Sequence, residues 1–153
     1  MKLMLFFICI MGCLNTGAQL STVSFSQLDS LQKSEKRPVV VFIHTDWCRY
    51  CHLMKQTCLK NDQVKSMLTN KFYFLELNAE EKKDVWFHNS RFRFKPTGIN
   101  TGIHELAGQL ATIDKNISFP TICVLNDMYE IIYQQTGFIP PENLLTTLSL
   151  LLE

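Results

Sequence analysis

Residues 39–52 read VVVFIHTDWCRYCH. The first five are β-branched or aromatic, with no polar break. This is the pattern of a strand buried on both faces in the middle of a sheet. Two cysteines follow at once, and the segment behind them takes a helical spacing, with Cys51, Met54 and Cys58 on one face and Leu59 beside it. A core strand, a short loop and a helix place Cys48 at a helix N-terminus. Free N–H groups and the helix dipole there favour a thiolate. Cys51 lies one turn deeper and can reach back to close a disulfide. Trp47 shields the pair and offers an apolar surface.

The same letters allow other chemistries. Cys48-x-x-Cys51-His52 is the attachment sequence of a covalent haem, with His52 as one axial ligand. Met67, Met128, His88 and His104 are candidates for the second ligand. A haem pocket is normally built from helices, whereas this motif is joined directly to a core strand. That context favours a dithiol and leaves a haem as an alternative. A metal site from His44, Cys48, Cys51, His52 and Cys58 has only one ligand knuckle where structural zinc usually uses two. The expectation is therefore no metal and no organic cofactor.

The chain has 153 residues, 46% hydrophobic and 19% charged, enough for one domain with a real core. Its formal net charge of +1 argues against general nucleic-acid binding, which wants a basic face. Residues 1–18 read as a secretory signal: Lys2, an apolar run over 3–14 and small residues up to Ala18. A lipobox-like Ile10-Met11-Gly12-Cys13 is the lesser route, leaving a lipid anchor on Cys13. Cleavage after Ala18 removes Cys9 and Cys13 and leaves Cys48, Cys51, Cys58 and Cys123 in a compartment where disulfides persist. Cys58 and Cys123 fit buried core positions, with a second disulfide or a relay as the other reading.

The remaining pattern predicts helices over 24–36, 48–60, 64–68, 101–113 and 140–152 and strands over 72–77, 119–125 and 130–135. A hairpin is predicted over 84–95. Its aromatic cluster of Trp86, Phe87, Phe92 and Phe94 is expected to pack in part onto the domain. Strands alternate with helices and a terminal hairpin closes the order, which is an α/β arrangement.

Three stretches carry a family resemblance. They are VVVFIHTDWCRYC, the following strand FYFLELNAEE and the tetrapeptide SFPT. From residue 24 onward the chain resembles the thioredoxin-like family, and in particular its exported bacterial members. The resemblance implies a central mixed sheet flanked by helices, over residues 24–153, with a hairpin-plus-helix insertion before a cis-proline strand. It also implies that Cys48 attacks, that Cys51 resolves, and that Pro120 is cis. Phe119 and Trp47 would line the substrate groove. Two departures stand out. Cytosolic thioredoxin has a buried acid six residues before its first cysteine, where this chain has Phe42; the base for Cys51 is then open among water, Glu76 and His44. Arg49-Tyr50 replaces Gly-Pro between the cysteines, and Arg49 should favour a thiolate at Cys48. Arg49, Tyr50, His52 and His44 are thus candidate tuning residues.

The function so implied is a periplasmic thiol–disulfide oxidoreductase. Its partners would be exported proteins with thiols or disulfides and a membrane redox protein, and the chain would act as a monomer. The alternative is a non-catalytic binding module of the same fold.

Overall fold

The computed structural model describes residues 20–153. The predicted leader and Cys13 lie outside the described residues. Strand β1 (Val39–His44) is buried along its whole length. It pairs in parallel with β2 (Tyr73–Asn78) and antiparallel with β9 (Thr121–Leu125). Strand β10 (Ile131–Thr136) completes a mixed sheet of order β10-β9-β1-β2.

The alternation of side chains along β1 divides the core into two layers. Val40 and Phe42 join Phe74, Ile122 and Val124 beneath α2 (Arg49–Gln56), α3 (Asp62–Lys71) and α5 (Pro141–Leu150). Val39, Val41 and Ile43 face the other way, onto α1 (Phe25–Ser34) and α4 (Glu105–Ala111). Each helix turns an apolar stripe to the sheet: Leu28 from α1, Met54 from α2, Val64 and Leu68 from α3, Leu144 and Leu148 from α5.

The chain between β2 and β9 differs in detail from its sequence pattern. The hairpin exists as β3 (Val85–Phe87) and β4 (Ser90–Phe92), closed by His88 and Asn89, both at positive φ. Two consecutive positive φ values match the right-handed twist of flanking strands. Residues 93–95 do not extend this hairpin. Glu105 clamps the chain at Arg93, its carboxylate accepting from the Arg93 N–H at 2.7 Å and its own N–H donating to the Arg93 carbonyl at 2.8 Å. A second hairpin then forms from β5 (Phe94–Pro96) and β6 (Gly102–His104). Only glycine fits at residue 102, since a Cβ there would lie 2.5 Å from the Lys95 carbonyl oxygen.

The helix predicted over 101–113 is therefore shorter. Ile103 is drawn into β6, and His104 caps α4 by accepting the Leu106 N–H on Nδ1. Thr112 and Ile113 form β7 (Thr112–Ile113), paired with β8 (Asn116–Ile117) across a turn at Asp114 and Lys115. Phe87 is buried against Phe25, Phe92 and Tyr129, whereas Trp86 is 60% exposed. The aromatic cluster is split between packing and surface, as its alternation predicts.

Asn61, where the sequence pattern breaks, caps α3. Its Oδ1 accepts the N–H groups of Gln63 and Val64 at 3.0 and 3.1 Å. The change Asn61→Ala should cost about 1 kcal/mol. It should lower the urea midpoint with an unchanged m-value, and an unchanged midpoint would contradict the capping role.

Candidate active site

Strand β1 ends at His44, and the loop Thr45–Trp47 carries the chain over the end of the sheet into α2. Cys48 is the N-cap of α2, in extended backbone conformation. Its Sγ accepts the Cys51 N–H at 3.1 Å. Cys48 and Cys51 are joined by a disulfide, with their Cα atoms 5.2 Å apart. Cys51 is 1% exposed and Cys48 5%, so both are buried and Cys48 lies nearer the surface.

The peptide bond between Phe119 and Pro120 is cis. The antiparallel register sets Ile43 opposite Thr121, which brings Pro120 level with the point where the loop leaves β1. Pro120 is buried, and Phe119 is part-buried against both core layers. The sequence-distant SFPT and WCRYC segments thus meet at one end of the sheet.

Trp47, 71% exposed, and Tyr50, 63% exposed, stand in solvent beside the disulfide. The Trp47 indole N–H donates to Glu80 Oε1 at 3.1 Å. The loop is tied a second time where the Asn78 amide donates to Asp46 Oδ2 at 3.0 Å. Asn78 Oδ1 also accepts the Glu80 N–H at 2.9 Å, which links the two ties. A third fastening comes from His52, whose Nε2 lies 2.7 Å from the Asp46 carbonyl oxygen. That bond needs an N–H on Nε2 and occupies the nitrogen a haem would require. Arg49 is exposed and forms no ion pair among the described residues.

Beneath α2 lies a charged cluster whose centre is not in the candidate set. Lys55 Nζ is 2.7 Å from Glu76 Oε2 and 3.2 Å from His44 Nε2. His44 Nε2 and Glu76 Oε2 are 3.7 Å apart. Burial first, and then the Lys55 charge, push the imidazole pKa down, against an upward pull from Glu76 and Asp46. His44 is therefore neutral at pH 7 and accepts from the Lys55 ammonium. The clue in the sequence is the spacing of Lys55, four residues after Cys51 on one helix face. Asn78, Glu80 and Asp46 leave no comparable signal, because their partners lie across a strand crossover.

Cys58 and Cys123 are buried and unbridged. They lie in opposite core layers, Cys58 under α2 and Cys123 on the α1 side. A disulfide or a relay between them is excluded by the sheet itself. Burial, and then the Glu142 charge, push the Cys58 thiol up to about 11. Burial alone pushes Cys123 up to about 12. Among the described residues no group of three or more His, Cys, Asp or Glu is placed to hold a metal ion. No described helix is long and apolar enough to cross a membrane.

The chain belongs to the thioredoxin-like family, since a family model described as a thioredoxin-like domain matches residues 25–151. Among solved structures, a thioredoxin from Thermus thermophilus is similar over 88% of this chain and 88% of its own, at 20% identity and a TM-score of 0.62. A thioredoxin-fold protein from Helicobacter pylori is similar over 85% of this chain and 72% of its own, at 17% identity and a TM-score of 0.59. A structure titled DsbH oxidoreductase covers 80% of this chain and 76% of its own, at 19% identity and a TM-score of 0.55. At these identities the likeness is one of fold. No curated protein matches the sequence.

Raised pKa values and full burial predict that Cys58 and Cys123 are inert in the native state. With the reduced protein at neutral pH, iodoacetamide should modify Cys48 first and leave Cys58 and Cys123 intact until denaturant is added. Native labelling of either at the rate of Cys48 would contradict the assignment.

Proposed function

We propose that this thioredoxin-like protein is a thiol–disulfide oxidoreductase acting on exported proteins through Cys48 and Cys51. The observation that carries the reading is the placement of Cys48. It caps a helix, bonds to Cys51 and is the less buried of the two cysteines. A thiolate at that position is stabilised by N–H groups at the helix start, and it remains reachable from the side flanked by Trp47 and Tyr50.

In the reduced enzyme the Cys48 thiolate attacks one sulfur of a substrate disulfide. A mixed disulfide forms, and the other substrate sulfur leaves as a thiolate. Cys51, once deprotonated, attacks the Cys48 sulfur. The enzyme disulfide closes and the second substrate sulfur departs. Two electrons pass to the substrate, and its two thiolates take up two protons. Run backwards, the same steps oxidise a substrate dithiol. Phe119, Pro120 and Trp47 form the wall against which the substrate chain lies, and Arg49, Tyr50 and His52 border it. The apolar leader and the small residues ending at Ala18 support secretion to the periplasm. There a membrane redox protein would restore the working oxidation state of the monomer.

Insulin reduction with dithiothreitol as the electron source tests this. Activity should be lost in Cys48→Ser, and Cys51→Ser should accumulate a covalent complex with its substrate that a reductant dissolves. Full activity in Cys48→Ser would overturn the proposal and leave a binding module of this fold.

A further inference from the structure

Resolution of the mixed disulfide requires Cys51 to lose its proton inside the core. Phe42 carries no group to accept it, although its ring lies in the same buried cluster as Cys48 and Cys51. Two polar side chains nevertheless border its ring. Lys55 Nζ lies 5.6 Å from the centre of its ring, and the His44 imidazole stacks on it at 5.4 Å and 22°. Lys55 shares a face of α2 with Cys51 one turn earlier, a spacing that puts Cβ atoms about 5–6 Å apart. The groups facing His44 are Lys55 from α2, Glu76 from β2 and Asp46 from the loop. From β9, Pro120 and Thr121 at the same level bring no charge.

The three distances in this cluster have a functional consequence. His44 Nε2 lies 3.2 Å from a cation that donates to it when the ring is neutral. The same nitrogen lies 3.7 Å from a carboxylate that pairs with it when the ring is charged. The imidazole has a neighbour suited to each protonation state, and Lys55 and Glu76 are held to each other at 2.7 Å. Lys55 and Glu76 are each about one-third exposed, at 31% and 32% of the side chain, so solvent reaches the cluster at its edge.

We propose that His44, set between Lys55 and Glu76, is the proton acceptor that serves Cys51 in the resolving step. The inference rests on the oxidoreductase reading above. The proton leaves the Cys51 thiol and is taken up at His44 Nε2, which gives up its hydrogen bond from Lys55 and turns its new N–H toward Glu76 Oε2, 3.7 Å away. The Cys51 thiolate then attacks the Cys48 sulfur. The departing substrate thiolate takes up a proton, and His44 returns to neutrality by releasing its own. Lys55 and Glu76 are positioning residues that set the pH at which His44 is available.

The two chemical steps are separable with 5,5′-dithiobis(2-nitrobenzoate), an aromatic disulfide that releases a coloured thiolate twice. The first release reports attack by Cys48 and the second reports resolution by Cys51. In the unaltered protein the second rate should fall with dropping pH through an inflection that lies below the ordinary histidine value of about 6.5, because burial and the Lys55 charge lower the His44 pKa. His44→Gln should remove that inflection and slow the second release by roughly 10²-fold while sparing the first. Lys55→Met should move the inflection to higher pH and Glu76→Gln to lower pH, with Lys55→Arg restoring the original profile. Opposite shifts from two partners of one ion pair are not produced by a merely structural role. Should His44→Gln fail to fold, the Lys55 and Glu76 shifts still decide the matter. A second release with an unchanged pH profile in these variants, or shifts of one sign in both, would overturn the proton-acceptor role and leave the enzyme reading standing. Loss of the first release from the unaltered protein would instead overturn the enzyme reading.

Discussion

Strand β1 is buried on both faces, and the placement of the site follows from that constraint. A strand enclosed by helices above and below offers no polar side chain before His44 at its end. Chemistry is confined to its C-terminal end, where the chain leaves the sheet and begins α2. The pairing with β9 then brings Phe119 and Pro120, some seventy residues away in sequence, to that same end. The pairing with β2 brings Asn78 and Glu80. One buried strand thus gathers a loop, a helix terminus and a cis proline around two sulfurs. The loop is held by side-chain bonds from Asn78, Glu80 and His52, so the disulfide sits on a fastened support.

The second physical theme is where the charge lies. A hydrophobic ring at Phe42 leaves the layer under Cys51 without a carboxylate on β1. The neighbouring strand and helix supply one ion pair instead, Glu76 with Lys55, and the part-exposed position of that pair limits its desolvation cost. The pair brackets a histidine near the end of β1, two residues beyond Phe42 on the same sheet face. If His44 serves Cys51 as proposed, proton transfer rests on an imidazole whose pKa burial and the Lys55 charge push down, where a lone buried acid would otherwise stand.

What the sequence disclosed and what it concealed divide along physical lines. Strand β1, the start of α2 and the cap at Asn61 are local: a β-branched run, a cysteine pair and a short polar break mark them. The cis peptide before Pro120 was legible only through the SFPT resemblance. The insertion was half legible. Ile103, Leu106, Leu110 and Ile113 have helical spacing, yet Ile103 pairs with Lys95 and Ile113 with Asn116. Tertiary pairing there overrode the periodicity. The ties of Asp46 to Asn78 and of Trp47 to Glu80 span 32 and 33 positions and depend on the parallel register, which no short window encodes. Lys55 was concealed for another reason: as a single cation on a helix it reads as surface, and only Glu76 and His44 give it a place.

The central claim is that Cys48 and Cys51 form an exchangeable pair and do not merely staple the fold. Its most direct test is the equilibrium reduction potential of that pair, read by alkylating the protein after equilibration in glutathione or dithiothreitol redox buffers. The account predicts one reversible two-electron transition above about −300 mV, in the range of exchanging disulfides. A pair that resists these buffers, or titrates below about −300 mV as structural disulfides do, would contradict it.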